Sequence, residues 1–197
     1  MEKFKEIIPP EGSKKETTET VVSGSFSKHM EQIGQALAGF ERAGVNVLAP
    51  TSSEAVDPNQ EFIILATDTP NKPPHKLEMD FMREIREASF LYVADVDGYV
   101  GKSAGTEMAY AKLKGLPVIC AETIQKFSDE IPQEAQNVLR KIVAGILPIS
   151  EISKDKIDNL KNELVNSDIA ELTEEERKIL SPLIKELLRE LKNIPQK

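Results

Sequence analysis

The chain has a single cysteine in 197 residues and no tryptophan, and its aromatic residues are few. One cysteine excludes an internal disulfide framework and a multi-cysteine zinc site. Cys120 itself sits in the apolar run LPVICA and reads as a small buried hydrophobe rather than a nucleophile. No stretch of about 18 apolar residues occurs, and the opening MEKFKEIIPPEGSKK has no apolar centre of a leader, so the expectation is a soluble, cytoplasmic protein with no membrane partner. Positive charge is also short. With 25 Lys and Arg against 33 Asp and Glu, the net charge is −8, and there is no basic stripe interleaved with aromatics to hold nucleic acid. Two histidines, His29 and His75, lack metal-ligand spacing; no metal and no cofactor are expected, and both residues read as loop or helix-start positions.

What the sequence does have is an alternation of strand and helix signals. Residues 1–18 mix charge with Pro9, Pro10 and Gly12 and are expected to form a loose arm. Residues 19–150 form the next unit, one α/β domain. TVVSGSF reads as a strand, Met30, Ile33, Leu37 and Phe40 as a helix closed at Gly44, and VNVLAP as a second strand. EFIILAT reads as a third strand, His75 to Ala88 as a helix with Leu77, Phe81 and Ile85 on one face, and SFLYVA as a fourth strand. A helix from about Ser103 to Leu113, ended at Gly115, leads to LPVICA as the fifth strand. The pattern predicts a Rossmann-like (flavodoxin-like), doubly wound parallel sheet of five strands.

Residues 151–197 are expected to be a helical C-terminal extension, with no strand signal after about Gln133. TEEE at Thr173 is a capping-box pattern, and Ile179, Leu180, Leu183, Ile184, Leu187, Leu188 and Leu191 form a wide apolar stripe. That stripe needs a partner surface, either the sheet domain or a second copy of the chain, and a homo-oligomer (dimer or higher) is expected.

In an open parallel sheet the ligand crevice lies beyond the carboxyl ends of the strands. SGSFSKH after the first strand and DVDGYVGKSAGTE after the fourth both fall there. Gly24, Gly98, Gly101 and Gly105 would let backbone amides approach a ligand, beside Ser25, Phe26 and Ser103. The loop matches neither the G-x-x-x-x-G-K-[ST] nor the G-x-G-x-x-G phosphate motif, which removes most support from ATPase, kinase and NAD readings. Glu107 inside it has two readings: an acidic residue complementing a helix start, or a carboxylate placed to attack an anomeric carbon.

From Val21 to Ile119 the pattern resembles the nucleoside 2-deoxyribosyltransferases and their relatives, the 2′-deoxynucleoside 5′-monophosphate N-glycosidases. GTEMAYAKLKGLPV is similar to that family's Gly-x-Glu-Leu-Gly-Tyr-Ala and following strand, VSGSF to its first strand and substrate loop, and GVNVLAP to its second strand. The resemblance implies Glu107 as nucleophile, Tyr110 as the neighbour that positions it, no cofactor, and a small nucleoside or nucleotide as ligand. It also implies an acid that handles the base proton. The family's Asp register falls on Phe81, with Asp80 one residue earlier, and Gly101 stands where the relatives hold Asp or Ser. Asp95, Asp97 and Ser103 lie near enough to compensate, or serve as turn and cap residues. Two other functions stay open: a phosphoribohydrolase, whose Gly-Gly-x-Gly-Thr-x-x-Glu loop resembles SAGTE less well, and a nucleotide-binding sensor without catalysis, favoured by Phe81 and Gly101.

Overall fold

A computed structural model describes residues 17–57, 63–166 and 171–194. The expected arm thus lies almost wholly outside the described residues. The first elements match the sequence pattern: β1 (Glu19–Gly24), α1 (Met30–Arg42), β2 (Asn46–Ala49), α2 (Pro74–Glu87) and β3 (Phe90–Ala94). A short 3-10 turn at Val96–Gly98 precedes β4 (Tyr99–Val100), α3 (Lys102–Leu113), β5 (Val118–Cys120) and β6 (Lys126–Phe127). The chain continues through α4 (Gln133–Lys141), β7 (Val143–Ile146), α5 (Lys154–Asn166) and α6 (Glu174–Lys192).

Five strands form one parallel sheet in the order β2-β1-β3-β5-β7, and β4 pairs with β6 in a separate two-stranded ribbon. The expected fold class is correct, but one strand is not the one expected. In EFIILAT, Glu61 and Phe62 lie outside the described residues, and the segment from Ile63 to Thr67 is loop with a single antiparallel bridge, Ala55 to Leu65. The fifth strand is Val143–Ile146, within a run whose sequence reads as helix. It adds to β5 with Val118 opposite Val143 and Cys120 opposite Ile146.

The period-2 alternation of β3 explains why both sheet faces are covered. Phe90, Tyr92 and Ala94 point to one side, where they join Val22, Ile33, Phe40, Ile157 and Leu160 under α1 and α5. Leu91 and Val93 point to the other, against Met108, Ala111, Leu139, Leu180 and Leu183 of α3, α4 and α6. The C-terminal stripe is therefore spent inside the chain: Leu180, Leu183, Leu187 and Leu191 are buried, the last two beside Met82 of α2. The stripe is covered without a second copy.

β1 runs beside β3 with Gly24 level with Ala94, and β2 lies on the other side of β1. Successive crossovers leave β1 in opposite directions, so the crevice opens between the carboxyl ends of β1 and β3.

Candidate active site

A cavity of about 500 Å³ lies at that crevice, a size suited to a small organic ligand. One wall is the β1–α1 loop, Gly24 to Lys28; another is the start of α3 with Gly101, Lys102 and Ser103. Leu48, Ile63, Leu65, Leu77 and Phe81 supply its apolar side, and Glu78 and Glu107 both line it.

The two carboxyls come from different helices for a legible reason. α2 buries Pro74, Glu78, Met82 and Ile85, a spacing of three or four residues that keeps one face against the core. Glu78 occupies a position in that stripe where an apolar residue would be routine, and only 5% of it is exposed. α3 is covered nearly all round, from Ala104 to Ala109, which leaves Glu107 also 5% exposed.

Burial governs their charge. Desolvation pushes the Glu107 carboxyl up to about 7, opposed by the Ser23 hydroxyl on β1. Desolvation pushes Glu78 well above the ordinary glutamate range, and the neighbouring charge of Glu107 pushes it further the same way. Ser23 is close enough to oppose the shift but stays outside hydrogen-bond geometry. Among the described residues, Ser23 Oγ, Glu78 Oε1 and Glu107 Oε2 are thus buried polar atoms without a protein partner. Such atoms cost stability, and they concentrate where a substrate completes them.

Of the residues singled out from sequence, Gly24, Ser25, Phe26, Asp80, Gly101, Ser103 and Glu107 line the cavity. Asp80 lies at its edge in ion pairs with Lys72 and Arg83, and the hydrogen bond from Lys72 leads the effects holding its carboxyl below the ordinary range. It is an anion at neutral pH and does not carry a proton to donate. Asp95, Asp97, Gly98, Gly105 and Tyr110 are not among the lining residues. Asp95 is fully buried at the end of β3, where its Oδ1 accepts from the Glu122 N–H at 2.9 Å and links the ends of β3 and β5. Its carboxyl is pushed to about 7 by desolvation. Asp97 (φ 55) and Gly98 (φ 65) form a left-handed turn, and a side chain at Gly98 would fall 2.6 Å from Thr123 O. Gly105 faces Ile131, whose Cδ1 would lie 2.5 Å from an added Cβ, so it serves helix packing. Tyr110 packs against the cluster of Met82, Leu187 and Leu191, with Lys114 5.5 Å from its ring centre, and therefore braces α2 and α6.

Sequence reasoning missed Glu78, Ser23 and Lys102. The signal for Glu78 was its place in the 74, 78, 82, 85 stripe, three residues before the Phe81 register. Cys120 is buried on β5, with its thiol pushed up by desolvation and by Asp95. His29 stands at the start of α1 and His75 lies in the first turn of α2; neither lines the cavity. Among the described residues no group of three or more His, Cys, Asp or Glu is placed to hold a metal, and no helix is long and apolar enough to cross a membrane. No family model, no curated protein and no solved structure matches the chain, so the chemistry of the site has to be read from its own residues.

Proposed function

We propose that the protein cleaves the N-glycosidic bond of 2′-deoxynucleosides or their 5′-monophosphates, using Glu107 as nucleophile and Glu78 as the acid and base. The observation that carries this reading is the buried Glu78–Glu107 pair in the cavity wall, where burial pushes both carboxyls up. Two neighbouring carboxyls that cannot both ionise share a proton, and the one with the higher affinity keeps it. In the proposed mechanism Glu78, on the α2 side, carries the shared proton and Glu107, with the Ser23 hydroxyl favouring its ionised form, supplies the charge.

In the first step a Glu107 oxygen attacks C1′ as the bond from C1′ to the base nitrogen breaks. The bonding pair stays on the base nitrogen, which takes the Glu78 proton. The sugar is then held on Glu107. Glu78, now ionised, removes a proton from water or steers a second base, and the new bond to C1′ releases Glu107. The apolar side chains of Leu77 and Phe81, which line the cavity, would flank the base. The sequence resemblance to deoxyribosyltransferases and N-glycosidases points the same way. Glu78 also supplies the acid whose lack favoured a sensor without catalysis.

A panel of deoxynucleosides and their 5′-monophosphates, assayed for released base with and without an acceptor base, tests the reading. Glu107→Gln keeps the shape and removes the charge, so base release should fall by at least about a hundredfold. Glu78→Gln should cost about a hundredfold to ten-thousandfold. The rate should follow a bell-shaped pH profile, climbing as the pair loses its first proton and declining as it loses the second. Full activity in either variant would end the two-carboxylate mechanism.

A further inference from the structure

The C-terminal helix reaches the cavity through one ion pair. Lys102, the first residue of α3, lines the cavity with its side chain 14% exposed. Its Nζ donates to Glu190 Oε2 of α6 at 2.6 Å and to Glu130 Oε2 at 3.4 Å. Burial alone would lower the affinity of this ammonium for its proton, yet the hydrogen bond and charge of Glu190, together with those of Glu130, turn the shift upward. The cation is clamped between two carboxylates.

Its position along α3 gives that clamp a consequence. Glu107 lies five residues beyond Lys102, roughly 7.5 Å along the helix. Glu78, Glu107 and Lys102 line the same cavity, so a substrate held at Glu107 with its base toward α2 meets the first turn of α3 as a wall. A free ammonium there would welcome a phosphate. A lysine already held by two anions presents one net negative charge instead. The other cation of this wall, Lys28, is exposed and stands 4.0 Å from the centre of the Tyr99 ring, where solvent and salt screen it. On the remaining lining Asp80 and Glu84 are paired with Lys72 and Arg83, so among the described residues no unpaired cation is offered there.

We infer that Glu190 is a positioning residue that sets substrate charge: by closing Lys102 into an ion pair with Glu130, it makes the site prefer the uncharged nucleoside to its 5′-monophosphate. The inference rests on the N-glycosidase reading for the reaction but not for the binding preference. The experiment is kcat/KM for a deoxynucleoside and its 5′-monophosphate in the wild type, Glu190→Gln and Glu130→Gln. The wild type should favour the nucleoside, and Glu190→Gln should shift the ratio toward the monophosphate by about three- to fivefold, expressed in KM. The shift should shrink as salt is raised. Glu130→Gln changes an exposed side chain outside α6 and should move the ratio in the same direction, which separates charge from helix docking. A ratio that neither variant moves, or a wild type that favours the monophosphate, would overturn the inference. If the wild type releases no base from either compound, the N-glycosidase reading falls. Calorimetric binding of both compounds to Glu107→Gln, with and without Glu190→Gln, then decides the charge preference by the same two outcomes.

Discussion

α3 and α6 pack against each other, yet they are built by opposite rules. α6 is amphipathic, with Leu180, Leu183, Leu187 and Leu191 inward and charged residues outward. Its start is closed by a capping box in which Thr173 and Glu176 exchange hydrogen bonds. α3 has no polar face to show, because eight of its residues are buried, and no side chain caps its N-terminal N–H groups. Inside it sits a carboxylate. The first helix is arranged for stability and the second accepts local costs to place Glu107, and such costs gather where function needs them. α6 supplies part of the support, since it covers α3 with leucines and reaches Lys102 with Glu190.

The largest test of that support is at the contact itself. Leu183 is 3% exposed and belongs to the core shared by α3 and α6. Leu183→Ala should cost about 2 to 5 kcal/mol. In a chain of this size that lowers the melting temperature by roughly 2 to 4 °C for each kcal/mol. A melting point within a degree of the wild type would show that α6 adds little to the core.

Breaking the cost on the α3 side should have the opposite sign. Glu107 has its carboxyl raised by burial to about 7, above the ordinary value of about 4.3. A raised acid contributes its stability fully below the unfolded value and loses it as pH climbs to the folded value. Wild-type stability should therefore decline between about pH 4.5 and 7. Glu107→Gln removes the Glu107 share of this dependence and leaves that of Glu78, so it should gain melting temperature over the wild type across that window and hold the gain above it, while base release is lost. Parallel melting profiles for the two proteins would place the carboxylate in water rather than in the interior.

The fold was readable wherever a long period was present: α1, α2, α3 and α6 all lie within a residue or two of the pattern that announced them. Short apolar runs were ambiguous in both directions. FIIL has the composition of a strand, but Ile63 and Leu65 turn to the cavity instead of the sheet. IVAGI comes after α4 with only Ile142 between helix and strand, so no turn residue marks the change. At the site, Glu107 was legible because a glycine-rich loop isolates it. Glu78 was hidden by its own helix, where Leu77 and Phe81 suggested the apolar face and the true buried face ran through 78, 82 and 85. Which carboxyl faces another across a cavity is fixed by how two distant helices meet, and no local pattern carries that.

The smallest effect belongs to the cap of α6. Thr173 Oγ1 accepts from the Glu176 N–H at 3.2 Å, and the Thr173 N–H donates to Glu176 Oε2 at 3.0 Å. Thr173→Ala removes the first bond, together with the one the hydroxyl donates to Glu176 Oε2 at 3.1 Å, and leaves the backbone one, so it should cost about 1 kcal/mol. That corresponds to a fall of roughly 2 to 4 °C in melting temperature. Thr173→Ser keeps the hydroxyl and should restore most of the loss. Thr173 lies at the far end of α6 from Glu190, so base release by Thr173→Ala at a temperature well below melting should match the wild type. If instead the alanine variant changes the preference between nucleoside and monophosphate, the cap end of α6 is coupled to Lys102, and the helix moves as one rigid lever rather than serving as a passive cover.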